Sequence, residues 1–145
     1  MNVFQSTYEH RLRDWKQLRT RIKTLTLDQQ CIEIDKWWQA APFVKHHLSW
    51  NDSNNWSDPW TLLSENIYCS LTKAVGMCYT LLLNDIDSIE LVLAKDNSGE
   101  EHYLVLVDKP KYTLNYWPNT VISNVLSSFE IINSKSLESI KNKIK

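Results

Sequence analysis

A chain of 145 residues is long enough for one domain around one core, and a formal net charge of -1 excludes the global basic field expected of a nucleic-acid binder. Three cysteines, Cys31, Cys69 and Cys78, are an odd number without paired spacing, so no disulfide framework is implied. The first residues lack the apolar core of a signal peptide, and the longest apolar stretch, around Val75 to Leu83, is too short to span a bilayer. The sequence therefore predicts a soluble protein of a reducing compartment, cytoplasmic in the simplest case.

Phe4, Tyr8, Leu12, Trp15, Leu18, Ile22 and Leu25 recur at spacings of four and three, which predicts an amphipathic helix. Its apolar stripe can serve as core or dock a partner helix. Arg11, Arg13, Lys16, Arg19, Arg21 and Lys23 crowd the same segment and read as a solvated face or a phosphate-contacting one. Thr26 followed by Gln29 has the capping-box pattern and predicts a second helix through Ile32, Ile34 and Trp37, ending before Pro42. Residues 43–58 are polar and aromatic and read as a loop.

Asp58-Pro59 then starts a short helix, with Asp58 as cap and Pro59 in the first position. Between Asn66 and Asn84 the one charged residue is Lys73. Leu71, Ala74, Val75, Met77, Cys78, Tyr79, Leu81, Leu82 and Leu83 leave almost no polar face, which predicts a buried central helix. Three β-patterned runs follow, Ile89 to Ala94, His102 to Val107 and Tyr112 to Asn115, with turns at Asp96 to Gly99 and Asp108 to Pro110. A short apolar run at Phe129 to Ile132 and a weak helix after Ser136 end the chain. The expected architecture is α+β: a central buried helix packed on an antiparallel sheet. It divides into N-terminal helices (1–42), a core (43–122) and a C-terminal extension (123–145).

Seven tryptophans against two glycines are unusual; each buried indole needs an N–H partner, and no glycine-rich phosphate loop is present. Cys69, His102 and Asn115 supply a thiol, an imidazole and a side-chain amide, the parts of a cysteine-nucleophile triad. With Asn66 capping the central helix, Cys69 would sit in its first turn, where free N–H groups lower a thiol pKa and form part of an oxyanion hole. A hairpin folded at Asp108-Lys109 would set His102 directly opposite Asn115, so that the amide could orient the imidazole. The structural alternative makes Cys69 a buried hydrophobe, His102 a strand-end histidine and Asn115 a turn residue. His46-His47 with Cys31 or Cys78 lack metal-ligand spacing, so neither metal nor cofactor is expected.

These features resemble the papain-like transglutaminase fold and, more closely, the bacterial transglutaminase-like cysteine peptidases. Trp56-Ser57-Asp58-Pro59-Trp60-Thr61-Leu62-Leu63 precedes Cys69 at nearly the family's distance. His102-Tyr103-Leu104-Val105-Leu106 is similar to its His-Met-Val-Leu, and Leu114-Asn115-Tyr116 to its Leu-Asp-Asn. The likeness covers roughly residues 45–122. It implies Cys69 as nucleophile, His102 as base, Asn115 as orienter, and the indole N–H of Trp56 or Trp60 as a second oxyanion donor.

The sequence departs from the family where Ile67-Tyr68 replaces Gly-Asp before the cysteine and Ser70-Leu71 replaces the acidic pair after it. The departure puts in doubt a calcium site built from those acids. The tryptophan-rich segment also resembles uncharacterised proteins of tailed phages of marine bacteria, which would place the chain in a virion. Two functions follow: a catalytically silent transglutaminase-like domain with a structural or assembly role, or an active thiol amidase or peptidase. A protein partner is expected on the N-terminal amphipathic helix or the tryptophan-rich surface, with no membrane or nucleic acid.

Overall fold

The computed structural model describes residues 2–108, 111–117, 120–122, 129–135 and 137–144. A single 3-10 turn, Val3–Gln5, precedes helix α1, Tyr8–Ile22; Thr7 caps the helix by accepting the His10 N–H. Trp15, Leu18 and Ile22 are fully buried, so this stripe is core. Arg11, expected on a solvated face, is buried instead. Its Nε donates to the Leu63 carbonyl at 2.8 Å and its Nη1 to the Ser6 carbonyl at 2.6 Å, tying α1 to the end of the third helix. Arg19 lies over the Trp15 ring at 4.3 Å, and Arg21 pairs with Glu33 at 3.5 Å.

Helix α2 spans Leu27–Gln39. Thr26 holds its N-cap position, but no capping box forms, because the Thr26 hydroxyl donates to the Asp28 carboxylate. The aromatic loop winds through a 3-10 segment, Trp50–Asn55, before α3, Pro59–Glu65, where Asp58 Oδ1 accepts the Thr61 N–H at 2.8 Å. Asn66 ends α3 in the left-handed conformation (φ 58°) instead of starting the next helix. Cys69 is itself the N-cap of α4, Ser70–Leu83.

Helix α4 is the centre of the fold: 12 of its 14 residues are buried. Its one interior hydroxyl without another role, Thr80, accepts both the Trp15 and the Trp38 indole N–H at 2.9 Å and donates to the Gly76 carbonyl at 2.8 Å. Two of the indole donors are thus satisfied by a single oxygen. Gly76 is required by the same contact, since a Cβ there would lie 2.6 Å from the Trp38 ring.

Five strands, β1 (Ile89–Asp96), β2 (Glu101–Val107), β3 (Tyr112–Trp117), β4 (Thr120–Ile122) and β5 (Phe129–Lys135), form one sheet in the order β4-β3-β2-β1-β5 with antiparallel neighbours. The apolar run at Phe129 is therefore an edge strand of the sheet, followed by a short helix α5, Leu137–Lys141. The turn expected at Asp108 to Pro110 lies partly outside the described residues. Val105 and Val107 join the core against α4, whereas Leu104 and Leu106 belong to a second apolar cluster with Val92 and Ala94. Both sheet faces are thus apolar along β2, which has consequences for the site. No described helix is long and apolar enough to cross a membrane.

Thr80→Val keeps the shape of the side chain and removes the acceptor for both indoles. It is expected to cost at least about 2 kcal/mol, since each orphaned buried donor costs ~1–3 kcal/mol. A urea melt of the variant against the parent measures the loss.

Candidate functional site

Cys69 lies at the mouth of the central helix, with 4% of its surface exposed. Its sulfur is 3.1 Å from the Thr72 hydroxyl. Burial pushes the thiol pKa up. The Leu48 N–H, the Thr72 hydroxyl and N–H, and the His47 N–H together overcome it, leaving the pKa below the ordinary cysteine value. The other two thiols differ: burial drives both Cys31 and Cys78 up to about 12. Cys69 is thus the one cysteine of the three set in a thiolate-favouring environment.

The side chain of β2 that senses Cys69 is Tyr103. Its hydroxyl pKa is raised first by burial, then by the charges of Glu101 and Cys69. Its ring stacks on Trp50 at 5.7 Å, and Trp50 is in turn covered by Lys135, whose Nζ is 4.8 Å from the ring centroid. The buried Trp50 Nε1 has no hydrogen-bond partner among the described residues.

His102, the neighbour of Tyr103, points to the other face of the sheet. Its ring sits edge-on to Tyr116 at 5.2 Å and to Phe129 at 5.4 Å, in the cluster that contains Leu104. Its Nε2 is 2.9 Å from Asp96 Oδ2. The other oxygen of Asp96 accepts the Ser98 hydroxyl at 2.6 Å and the N–H groups of Ser98 and Glu100 at 2.9 and 3.0 Å. The Ser98 hydroxyl first, and His102 next, hold the Asp96 carboxyl well below the usual carboxylate range. Asp96, Glu100 and His102 have ligand atoms within 4.8 Å of one another, a grouping not apparent from sequence spacing. The Asp-Asn-Ser-Gly turn sequence accounts for it: Asp96 Oδ1 closes the β1–β2 turn.

The expected His102–Asn115 pairing is not formed. Val105 stands opposite Leu114, which slides Asn115 two residues along β2 from His102. Asn115 also leaves strand alternation: its φ is 67°, a left-handed value that asparagine tolerates. This turns its side chain towards the helices. Nδ2 donates to the Tyr103 carbonyl at 2.8 Å and to the Ser70 carbonyl at 3.0 Å, Oδ1 accepts the Gln39 Nε2 at 2.8 Å, and the backbone N–H donates to Asp35 Oδ1 at 2.9 Å. Cys69 and Asn115 are therefore both at the start of α4; His102 lines a cleft with Ser70 and Asn115, but its hydrogen bond goes to Asp96 and not to Cys69 or Asn115.

The two tryptophans implied as oxyanion donors are placed otherwise. The Trp56 indole N–H donates to the Ser49 carbonyl at 2.8 Å. Trp60, 39% exposed on α3, lies against Trp15 at 6.5 Å on the helical side of the domain. Tyr103 and Trp50 instead stack on one another and pack in the core cluster that contains Cys69. The sequence signal for Tyr103 was present as the residue after His102 in a run whose inward face could not be read.

Asn115→Asp removes the Nδ2 donor and sets a carboxylate against the Tyr103 and Ser70 carbonyls. The variant is expected to lose about 2 kcal/mol or more at neutral pH. Denaturant melts at neutral and acid pH measure the effect, and the loss should shrink as the new carboxyl is protonated.

No family model and no curated protein matches the sequence. Among solved structures, the chain is similar to Legionella pneumophila LapG, with a TM-score of 0.72 and 12% identity over 89% of this chain and 76% of that one. For the calcium-bound form of LapG the TM-score is 0.75 with 11% identity, over 90% and 77% of the two chains. An EGTA-treated LapG gives 0.72 and 12%, over 89% and 74%. At this identity the likeness speaks for the fold, and the fold is transglutaminase-like, with an added N-terminal helical region.

Proposed function

We propose that this is a transglutaminase-like domain whose cysteine triad is catalytically silent and which serves as a structural or assembly module. The observation that carries the reading is the placing of β2: Tyr103 packs against the core cluster that contains Cys69, and His102 is hydrogen-bonded to Asp96 beside Tyr116 and Phe129. A thiol acyl transfer needs a base within hydrogen-bond reach of the nucleophile and a third group to orient that base. Tyr103 with its pKa raised is a poor base at neutral pH, and the amide hydrogens of Asn115 are directed to backbone carbonyls. The assembly role, with a protein partner, is the reading proposed for a transglutaminase-like fold without a base at its thiol. Its extension to a phage particle is carried by the tryptophan-rich segment alone.

A second reading, an active thiol amidase or peptidase, is favoured by one observation: the donors around Cys69 lower its pKa without any imidazole. The two readings part at His102. Under the silent reading, His102→Ala leaves the alkylation rate of Cys69 unchanged in a folded protein. Slowing by tenfold, about 1.4 kcal/mol of coupling, would restore the triad.

Two further outcomes follow from the same geometry. Timed iodoacetamide labelling near neutral pH should modify Cys69 well before Cys31 and Cys78, as read by peptide mass spectrometry; equal slow labelling would remove the activated thiol. Tyr103→His places an imidazole on the face towards Cys69. Alkylation of that variant is expected to be faster than that of the parent, and an unchanged rate would mean that β2 stands too far from the sulfur to matter.

A further inference from the structure

The hairpin that hydrogen-bonds His102 to Asp96 also brings a second carboxylate to it. β1 ends at Asp96 and β2 begins at Glu101. The turn between them is closed by the Gly99 N–H on the Asp96 carbonyl at 3.0 Å and the Asp96 N–H on the Glu100 carbonyl at 2.9 Å. Gly99 supplies the positive φ of 87° at this turn. Asp96, Glu100 and His102 are thus carried by one closed hairpin, and their ligand atoms lie within 4.8 Å of one another. All three line a cleft of about 660 Å³ in which Asp96, Glu100 and Glu101 outnumber the one lysine, Lys73, so its field favours a cation.

We propose that Asp96, Glu100 and His102 bind a zinc ion at the mouth of this cleft. The site goes beyond the reading of Cys69 and shares with it one feature, the placing of His102 beside Asp96.

The spacing fits such an ion. Ligand atoms ~2.0–2.2 Å from a tetrahedral zinc stand about 3.4 Å apart. His102 Nε2 and Asp96 Oδ2, now 2.9 Å apart, need to open by about half an ångström. Glu100 is exposed, so its side chain has room to close the remaining gap. The two inner ligands are already oriented. Asp96 Oδ1 accepts the Ser98 hydroxyl and the N–H groups of Ser98 and Glu100, which leaves Oδ2 for the metal. The His102 ring is fixed edge-on between Tyr116 and Phe129.

The donor set selects the metal. Calcium and magnesium take oxygen ligands, whereas an imidazole suits zinc and its first-row neighbours. None of the three residues flanks Cys69 in the chain. On binding, the Nε2···Oδ2 hydrogen bond is given up, the imidazole proton rests on Nδ1, and both atoms turn a lone pair to the ion. Three protein ligands leave a fourth position for water on the cleft side.

The test titrates the intact, chelator-washed chain with zinc sulfate by calorimetry and with cobalt(II) chloride by visible absorption. One equivalent of zinc is expected to bind and to raise the unfolding midpoint, because the folded chain holds the three ligands together and the unfolded chain does not. Cobalt should give visible ligand-field bands without the near-ultraviolet band of a thiolate ligand. In His102→Ala zinc binding should weaken at least about tenfold, since losing even a supporting partner of a ligand costs ~10–100-fold. Should that variant fail to fold, Glu100→Gln, at an exposed position, is read in its place and is expected to weaken binding likewise. No zinc uptake by the parent, a thiolate band at one equivalent of cobalt, or zinc held at the parental affinity in either folded variant would overturn the proposal. Calcium bound in preference to zinc would overturn it too, because a hard cation has no use for the imidazole. The silent-triad reading is decided separately, by the alkylation rate of Cys69, so the two failures are distinct.

Discussion

A helix apolar on every side cannot stand at a surface, and α4 sets the terms for everything around it. Twelve of its residues are buried, so the helices must cover one flank and the sheet the other. Polar atoms carried into that interior need partners at once. Thr80 answers for two tryptophans brought in by α1 and α2, which fixes where those helices cross α4. Gly76 lets the Trp38 ring approach the helix backbone closely enough to reach that hydroxyl. The unusual tryptophan content is thereby coupled to the helix: large indoles fill the space beside it, and their donors converge on one oxygen.

The start of α4 is held by a different device. Asn115 bonds to β2 through the Tyr103 carbonyl, to α4 through the Ser70 carbonyl, and to α2 through Gln39 and Asp35. Its amide supplies donors and an acceptor at once, which a carboxylate cannot do. The presence of asparagine here, and not aspartate, follows from the need to donate to two carbonyls. The same polar layer holds Asp35 and Lys73, opposite charges buried near one another that would be costly apart.

Much of this was legible in the sequence. The stripe from Tyr8 to Ile22, the Asp58-Pro59 helix start and the buried run after Cys69 all announce themselves by period and by cap chemistry. The resemblance that gathered Cys69, His102 and Asn115 led to the right fold. What it could not convey was direction. Asn66 looked like a helix start and is a helix end, because asparagine serves equally as N-cap and as a left-handed terminator. Arg11 looked solvated and is a buried fastener of α3, since an arginine can satisfy several carbonyls at once.

The orientation of β2 is the decisive case. In a strand with one wet face, alternation of polar and apolar residues reveals which side chains point inward. Here Leu104 and Leu106 are buried on one face and Val105 and Val107 on the other, so the run His102 to Val107 is apolar in both frames. The frame that puts the valines against α4 must put Tyr103 there too and send His102 to Asp96. A shift of the strand by one residue would exchange them, but it would also exchange the valines and leucines, and the register with β1, Val92 opposite Leu104, holds against that. The chemistry available to Cys69 is therefore decided by packing several residues away from it. A thiol-favouring helix start persists in this fold independently of the imidazole that would make use of it.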